Sequence, residues 1–118
     1  MKKILVVEDN ESLRVLYHDE LSEAGYEVIL AANGREATKH LEKEKPNLII
    51  LDIVMPVMDG TEALGRIIKK HRDIPVILNT SYPSYRNDFM SWGADAYVVK
   101  SGDLEELKGK IREILGDQ

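Results

Sequence analysis

The chain contains no cysteine, which excludes a disulfide framework, a thiol nucleophile and any cysteine-held zinc. It also lacks a long apolar run. Met1-Lys2-Lys3 leads into Ile4-Leu5-Val6-Val7, and Glu8 ends the stretch well short of a signal-peptide core or a membrane span. Basic residues do not predominate: 16 Lys and Arg stand against 21 Asp and Glu, a net charge of −5 that disfavours phosphate-led contact with nucleic acid. Neither direct nucleic-acid binding nor a membrane partner is expected, and the absence of cysteine fits a cytoplasmic protein. Histidine is sparse, and His18, His40 and His71 fall on helical patterns without ligand spacing, which makes them solvated helix residues. Of the few aromatic residues, Tyr82, Tyr85, Phe89, Trp92 and Tyr97 crowd into one stretch, where they serve the core or a partner surface.

What is present is enough for one core. The sequence reads as a single domain, 1–118, with 43% hydrophobic residues and no linker, repeat or low-complexity segment. Short apolar runs predict strands at Ile4–Val7, Tyr26–Ala31, Leu48–Leu51, Val76–Asn79 and Ala96–Val99. Between them, periods near 3.6 predict helices through Leu13, Leu16 and Leu21, through Ala37 and Leu41, through Ala63, Leu64, Ile67 and Ile68, and through Leu104, Leu107, Ile111, Ile114 and Leu115. Asn33 with Glu36, Asp59 with Glu62 and Asp103 with Glu106 have the spacing of capping boxes. Residues 80–93, interrupted by Pro83, read as a loop and a weak helix. Five strand-helix units imply an α/β fold, a doubly wound five-stranded parallel sheet with helices on both faces.

Ligands of such sheets bind outside the carboxyl ends of the strands. There the sequence places Glu8 and Asp9 after the first run, Asp52 after the third, Thr80 after the fourth and Lys100 after the fifth. Each taken singly is an ordinary cap or turn residue. Together they form a pocket in which two carboxylates about 4 Å apart repel by about 4 kcal/mol at an effective dielectric near 20. Lys100 supplies one compensating charge and a divalent cation could supply two. An oxygen-only donor set without His or Cys suits Mg2+, which shares its coordination sphere readily with phosphate. An Asp carboxylate is also a competent nucleophile toward phosphorus.

Four segments in order, "KILVVEDN", "LIILDIVMPVMDG", "PVILNTS" and "GADAYVVKS", closely resemble the receiver domain of two-component response regulators, the CheY-like group, over essentially the whole chain. The resemblance implies the flavodoxin-like strand order 2-1-3-4-5. It implies a phosphorylation-controlled switch in which Asp52 takes a phosphoryl group from a histidine kinase or histidine phosphotransfer protein. It further implies Mg2+ held by Asp9, by Glu8 through water, by Asp52 and by the backbone carbonyl of Val54. Thr80 matches the switch hydroxyl, Lys100 the ammonium at the phosphoryl group and Tyr97 the aromatic that turns inward when Thr80 moves. A downstream output protein, or an output domain on a longer chain, would read the switched face.

Two positions depart from the family pattern. Ser101 stands where Pro is usual after the lysine, and a trans Lys100–Ser101 bond is expected because a cis bond before a non-proline residue costs about 2.5–4 kcal/mol. Ser81 stands where Ala is common. Val54 and Tyr82 offer no carboxylate or carboxamide to orient water, so slow self-dephosphorylation is expected. The alternatives are a receiver-like interaction module that works without phosphorylation, and a phosphatase with an Asp nucleophile. The second wants another acid two residues beyond the nucleophile, where this chain has Val54.

Overall fold

In the computed structural model, residues 1–53, 67, 69–80, 94–100 and 104–116 are described. Five strands, β1 (Lys3–Val7), β2 (Glu27–Ala31), β3 (Leu48–Ile53), β4 (Val76–Thr80) and β5 (Ala96–Val99), form one parallel sheet in the order β2-β1-β3-β4-β5. The helices among the described residues are α1 (Glu11–Glu23), α2 (Gly34–Lys43) and α3 (Glu105–Leu115). This is the expected doubly wound α/β architecture.

The inner strands are mostly apolar because both faces are covered, with polar residues gathered toward the carboxyl ends of β3 and β4. Successive side chains alternate between two core layers. Ile4, Val6, Leu48, Ile50, Ile77, Ala96 and Val98 pack with Tyr17 and Leu21 of α1 and Leu107 and Ile111 of α3. Leu5, Val7, Ile49, Leu51, Val76, Leu78 and Tyr97 pack on the opposite face with Ala37 of α2 and Ile67. Burial of each such aliphatic side chain contributes about 1.5–3 kcal/mol before entropy is counted.

Helix ends follow their local chemistry. Asn10 caps α1, its side-chain oxygen accepting from the Leu13 N–H at 3.0 Å. Asn33 and Glu36 form the expected box at α2: Glu36 N–H donates to Asn33 Oδ1 at 2.9 Å, and Glu36 Oε1 reaches back to the Ala32 N–H at 2.7 Å. After α1 the chain turns through Gly25 at φ 101°, a conformation that a Cβ would strain.

Three expectations need correction. The strand bearing Asp52 does not stop at Leu51: the β3–β4 ladder continues through Asp52↔Asn79 and Ile53↔Thr80, so the acid belongs to the strand itself. The inward stripe of α1 is Leu13, Tyr17 and Leu21, spaced four apart, whereas Leu16 is 37% exposed. The last helix begins at Glu105, and the residue at its N-cap is Leu104, whose apolar side chain has no oxygen with which to accept the first N–H groups. Asp103, the Asp59–Glu62 box, the helix pattern through Ala63, Leu64 and Ile68, the stretch 81–93, and the Lys100–Ser101 bond lie outside the described residues.

Candidate functional site

Strand alternation decides which side chains meet. Glu8 follows Val7 out of β1, Asp52 follows Leu51 in β3, and Lys100 follows Val99 out of β5, so all three continue the set that faces α1 and α3. Glu8 is anchored by its N–H, which donates to the Ala31 carbonyl at 3.0 Å, and Lys100 by its N–H to the Thr80 carbonyl at 2.7 Å. The Glu8 side chain is fully buried, that of Asp52 is 3% exposed and that of Lys100 15%. Lys100 Nζ sits between the two acids, 2.9 Å from Glu8 Oε1 and 2.6 Å from Asp52 Oδ1.

That contact compensates charge more than it satisfies direction. Among the described residues, Glu8 Oε1 and both Asp52 oxygens lack an aligned hydrogen bond, although Glu8 Oε2 accepts from the Asn10 N–H at 3.1 Å. Burial, then the neighbouring Glu8 carboxyl, push the Asp52 carboxyl up from 3.8 to about 8, against the opposing pull of Lys100. Burial lowers the Lys100 ammonium but is overcome by Asp52 and Glu8, which leave it above its ordinary value. One oxygen from each of Glu8, Asp9 and Asp52 lies within 4.8 Å of the others, and Asp9 is exposed.

Three carboxylates thus face one ammonium. Ligands on opposite sides of an octahedral Mg2+ are about 4.2 Å apart for bonds of about 2.1 Å, so these oxygens need little adjustment to share such an ion. The all-oxygen donor set, its uncompensated charge and the orphaned Asp52 Oδ2 fit a hard divalent cation.

The structure does not gather all the sequence-predicted residues on one face. Thr80, fully buried, and Tyr97, 4% exposed, belong by alternation to the opposite, α2-side layer, and Thr80 meets the cluster through its carbonyl bond to the Lys100 N–H. Tyr97 is already packed inward in this structure. Val54 lies outside the described residues, as do Ser81, Tyr82, Tyr85, Phe89, Trp92 and Ser101. His18 is exposed beside Asp19, and His40 and His71 are half-buried.

Sequence reasoning missed a polar pair beneath the cluster. Asn79, opposite Asp52 in the ladder, donates from Nδ2 to the Tyr17 hydroxyl at 2.9 Å, and both side chains are buried. Burial raises the Tyr17 phenol above its ordinary value, while the Asn79 bond opposes the shift. The available signals were a carboxamide ending the run Val76-Ile77-Leu78 and a tyrosine four residues from both Leu13 and Leu21. Tyr17→Phe should cost about 1–3 kcal/mol, the penalty for leaving the Asn79 amide unpaired. In urea unfolding, the Tyr17→Phe/Asn79→Leu double variant should recover most of that loss, since neither orphan remains.

The fold is a doubly wound, flavodoxin-like parallel sheet that carries an acid-lysine cluster at its carboxyl edge. Comparison with known proteins gives the family: residues 4–112 match the family described as response regulator receiver domain, and the chain belongs to it. The chain is 41% identical to the probable transcriptional regulator ycf27 of Cyanophora paradoxa over 97% of its own length and 48% of that protein. It therefore spans about half the length of the first curated relatives it matches. Among solved structures it resembles the Thermotoga maritima response regulator protein TrrA in complex with Mg(2+)-BeF, at 48% identity and TM-score 0.86, covering 97% of this chain and 99% of that one. It also resembles TrrA in complex with histidine kinase ThkA, at 49% identity and TM-score 0.85, covering 98% and 99%. The chain is thus a receiver domain of the two-component response regulator type. Among the described residues no helix is long and apolar enough to cross a membrane.

Proposed function

We propose that residues 1–118 act as one cytoplasmic receiver that accepts a phosphoryl group on Asp52 from a histidine kinase or histidine phosphotransfer protein and thereby switches a partner-binding face. The observation that carries this reading is the buried Asp52 carboxylate, with Oδ2 unbonded, beside Lys100 and two further acids. The kinase complex and the Mg(2+)-BeF complex of TrrA, at nearly half identity, support it.

An Asp52 oxygen attacks phosphorus as the P–N bond of the donor phosphohistidine breaks, and the bonding pair leaves with the imidazole nitrogen. Lys100 balances charge on the transferred group, replacing the partner it loses when Asp52 becomes an acyl phosphate. Asp9, Glu8 through water, Asp52 and the Val54 carbonyl would hold Mg2+, which would supply charge neutralisation for the phosphoryl oxygens. Burial and the Glu8 carboxyl raise the Asp52 carboxyl, while Lys100 and a dication at the site favour its ionised form, which is the nucleophile. Thr80 then bonds the phosphoryl group and Tyr97 follows on the opposite face, where an output protein or output domain reads the change. The chain assists its own phosphorylation and slow dephosphorylation but turns over no separate substrate.

The test is intact mass after incubation with acetyl phosphate. Wild type should gain one phosphoryl group only when Mg2+ is present, and Asp52→Asn should gain none. A wild type that neither gains mass nor binds Mg2+ would return the chain to a phosphorylation-independent interaction module.

A further inference from the structure

The two acids that end β1 differ in how they are held. Glu8 is buried and tied by its own carboxylate to the Asn10 N–H, whereas the Asp9 side chain is exposed. Among the described residues, the only side chain bonded to Asp9 is that of Arg14, one turn into α1. Its Nη1 donates to the Glu8 carbonyl at 2.7 Å and to the Asp9 carbonyl at 3.0 Å. Arg14 also closes the first turn of α1 through its own N–H to the Asn10 carbonyl at 3.0 Å, so one residue joins the helix start to the acidic turn.

The choice of partners is informative. A guanidinium in contact with two acidic residues ordinarily pairs with a carboxylate, yet among the described residues Arg14 makes no ion pair. It spends its donors on two consecutive main-chain carbonyls instead. We infer that Arg14 is a positioning residue for the cation site: its clamp on the Glu8 and Asp9 carbonyls fixes the turn from which the exposed Asp9 carboxylate reaches the ion. The inference rests on the Mg2+ site proposed above and deepens it.

Position and charge make opposite predictions. If Arg14 acted on the site only as a nearby positive charge, its removal would tighten binding of a dication, because a like charge is lost. If it positions Asp9, its removal weakens binding, because an exposed carboxylate must then be ordered as the ion enters. Lysine separates the two, since it keeps the charge but lacks the planar fork that spans both carbonyls.

Mg2+ titration of wild type, Arg14→Lys and Arg14→Met by calorimetry, with thermal unfolding of each metal-free protein as the check on folding, reads the difference without any phosphoryl donor. Both variants should bind Mg2+ about tenfold more weakly than wild type, in the range seen when groups that orient metal ligands are removed. Asp9→Asn combined with Arg14→Lys should be no weaker than Asp9→Asn alone, because the clamp acts through Asp9. Tighter binding by Arg14→Met with unchanged binding by Arg14→Lys would overturn the inference and leave the site standing. Lowered metal-free stability with wild-type affinity would also overturn it, making Arg14 a support for the α1 start alone. A wild type that binds no Mg2+ would overturn both the inference and the site on which it rests.

Discussion

Asp52→Asn should make the metal-free protein more stable, with a gain that grows as pH rises from about 4 to about 8 and then levels off. In the folded chain the Asp52 carboxyl is pushed up to about 8 by burial and by Glu8, above the 3.8 of an unperturbed side chain. Between those values the folded state holds a proton that the unfolded state has released, so wild-type stability falls as pH increases. Below the lower value both states are protonated and the penalty vanishes; above the upper value it is complete. Asparagine carries no such charge. Allowing for relaxation around Lys100, a gain of about 2 kcal/mol near pH 8 is expected, well under the full conversion at about 1.4 kcal/mol per pH unit. Urea unfolding of both proteins across this range, in the presence of chelator, checks the result. Saturating Mg2+ should reverse the order, since an ion at 100 times its Kd stabilises wild type by about 2.7 kcal/mol and should lose much of its hold on the variant. An Asp52→Asn protein that is less stable than wild type at every pH, with an unchanged response to Mg2+, would count against the pocket.

Lys100→Met should have the opposite sign and a larger size. Among the described residues its ammonium is the one cation in ion-pair contact with Glu8 and Asp52, and all three side chains are largely removed from water. Removing one partner of a buried ion pair commonly costs about 3–5 kcal/mol, because the remaining charge is left uncompensated. About 3 kcal/mol is expected near pH 8, and less near pH 5, where Asp52 takes up a proton and the repulsion with Glu8 subsides. Adding Asp52→Asn to Lys100→Met should restore much of the loss, so that the two substitutions are strongly non-additive. A loss independent of both pH and the residue at 52 would mean that the lysine stem, not its charge, holds the structure. The same urea titrations read this outcome.

The parts of the molecule that were legible in the sequence are those where short-range signals agree. Apolar runs bounded by polar residues located all five strands to within two residues, and the Asn33–Glu36 spacing located α2. The acid-lysine cluster followed from strand order alone, because parallel strands bring their carboxyl ends to one edge. What escaped depends on pairing between distant segments. No local feature of Leu51-Asp52-Ile53 says that β4 continues to pair with it, since that extension is decided by Asn79 and Thr80 on the neighbouring strand. The Tyr17–Asn79 bond joins positions 62 residues apart, and nothing near either residue points to the other. Leu13 and Leu21 mark the stripe of α1, but Leu16 does not belong to it: leucine is the more hydrophobic residue, yet α1 turns Tyr17, not Leu16, toward the sheet.

The alternation along β4 makes the sheet a partition between two compartments. Asn79 stands on the side where charge is gathered and Thr80 on the side where Tyr97 is packed, and only a peptide unit separates them. No side chain needs to cross the sheet for news of the acids to reach the other layer. The Thr80 carbonyl that receives the Lys100 N–H belongs to the same main chain that carries the threonine side chain into the other layer. One residue at the end of β4 therefore borders both compartments, its backbone on the charged side and its side chain on the packed one.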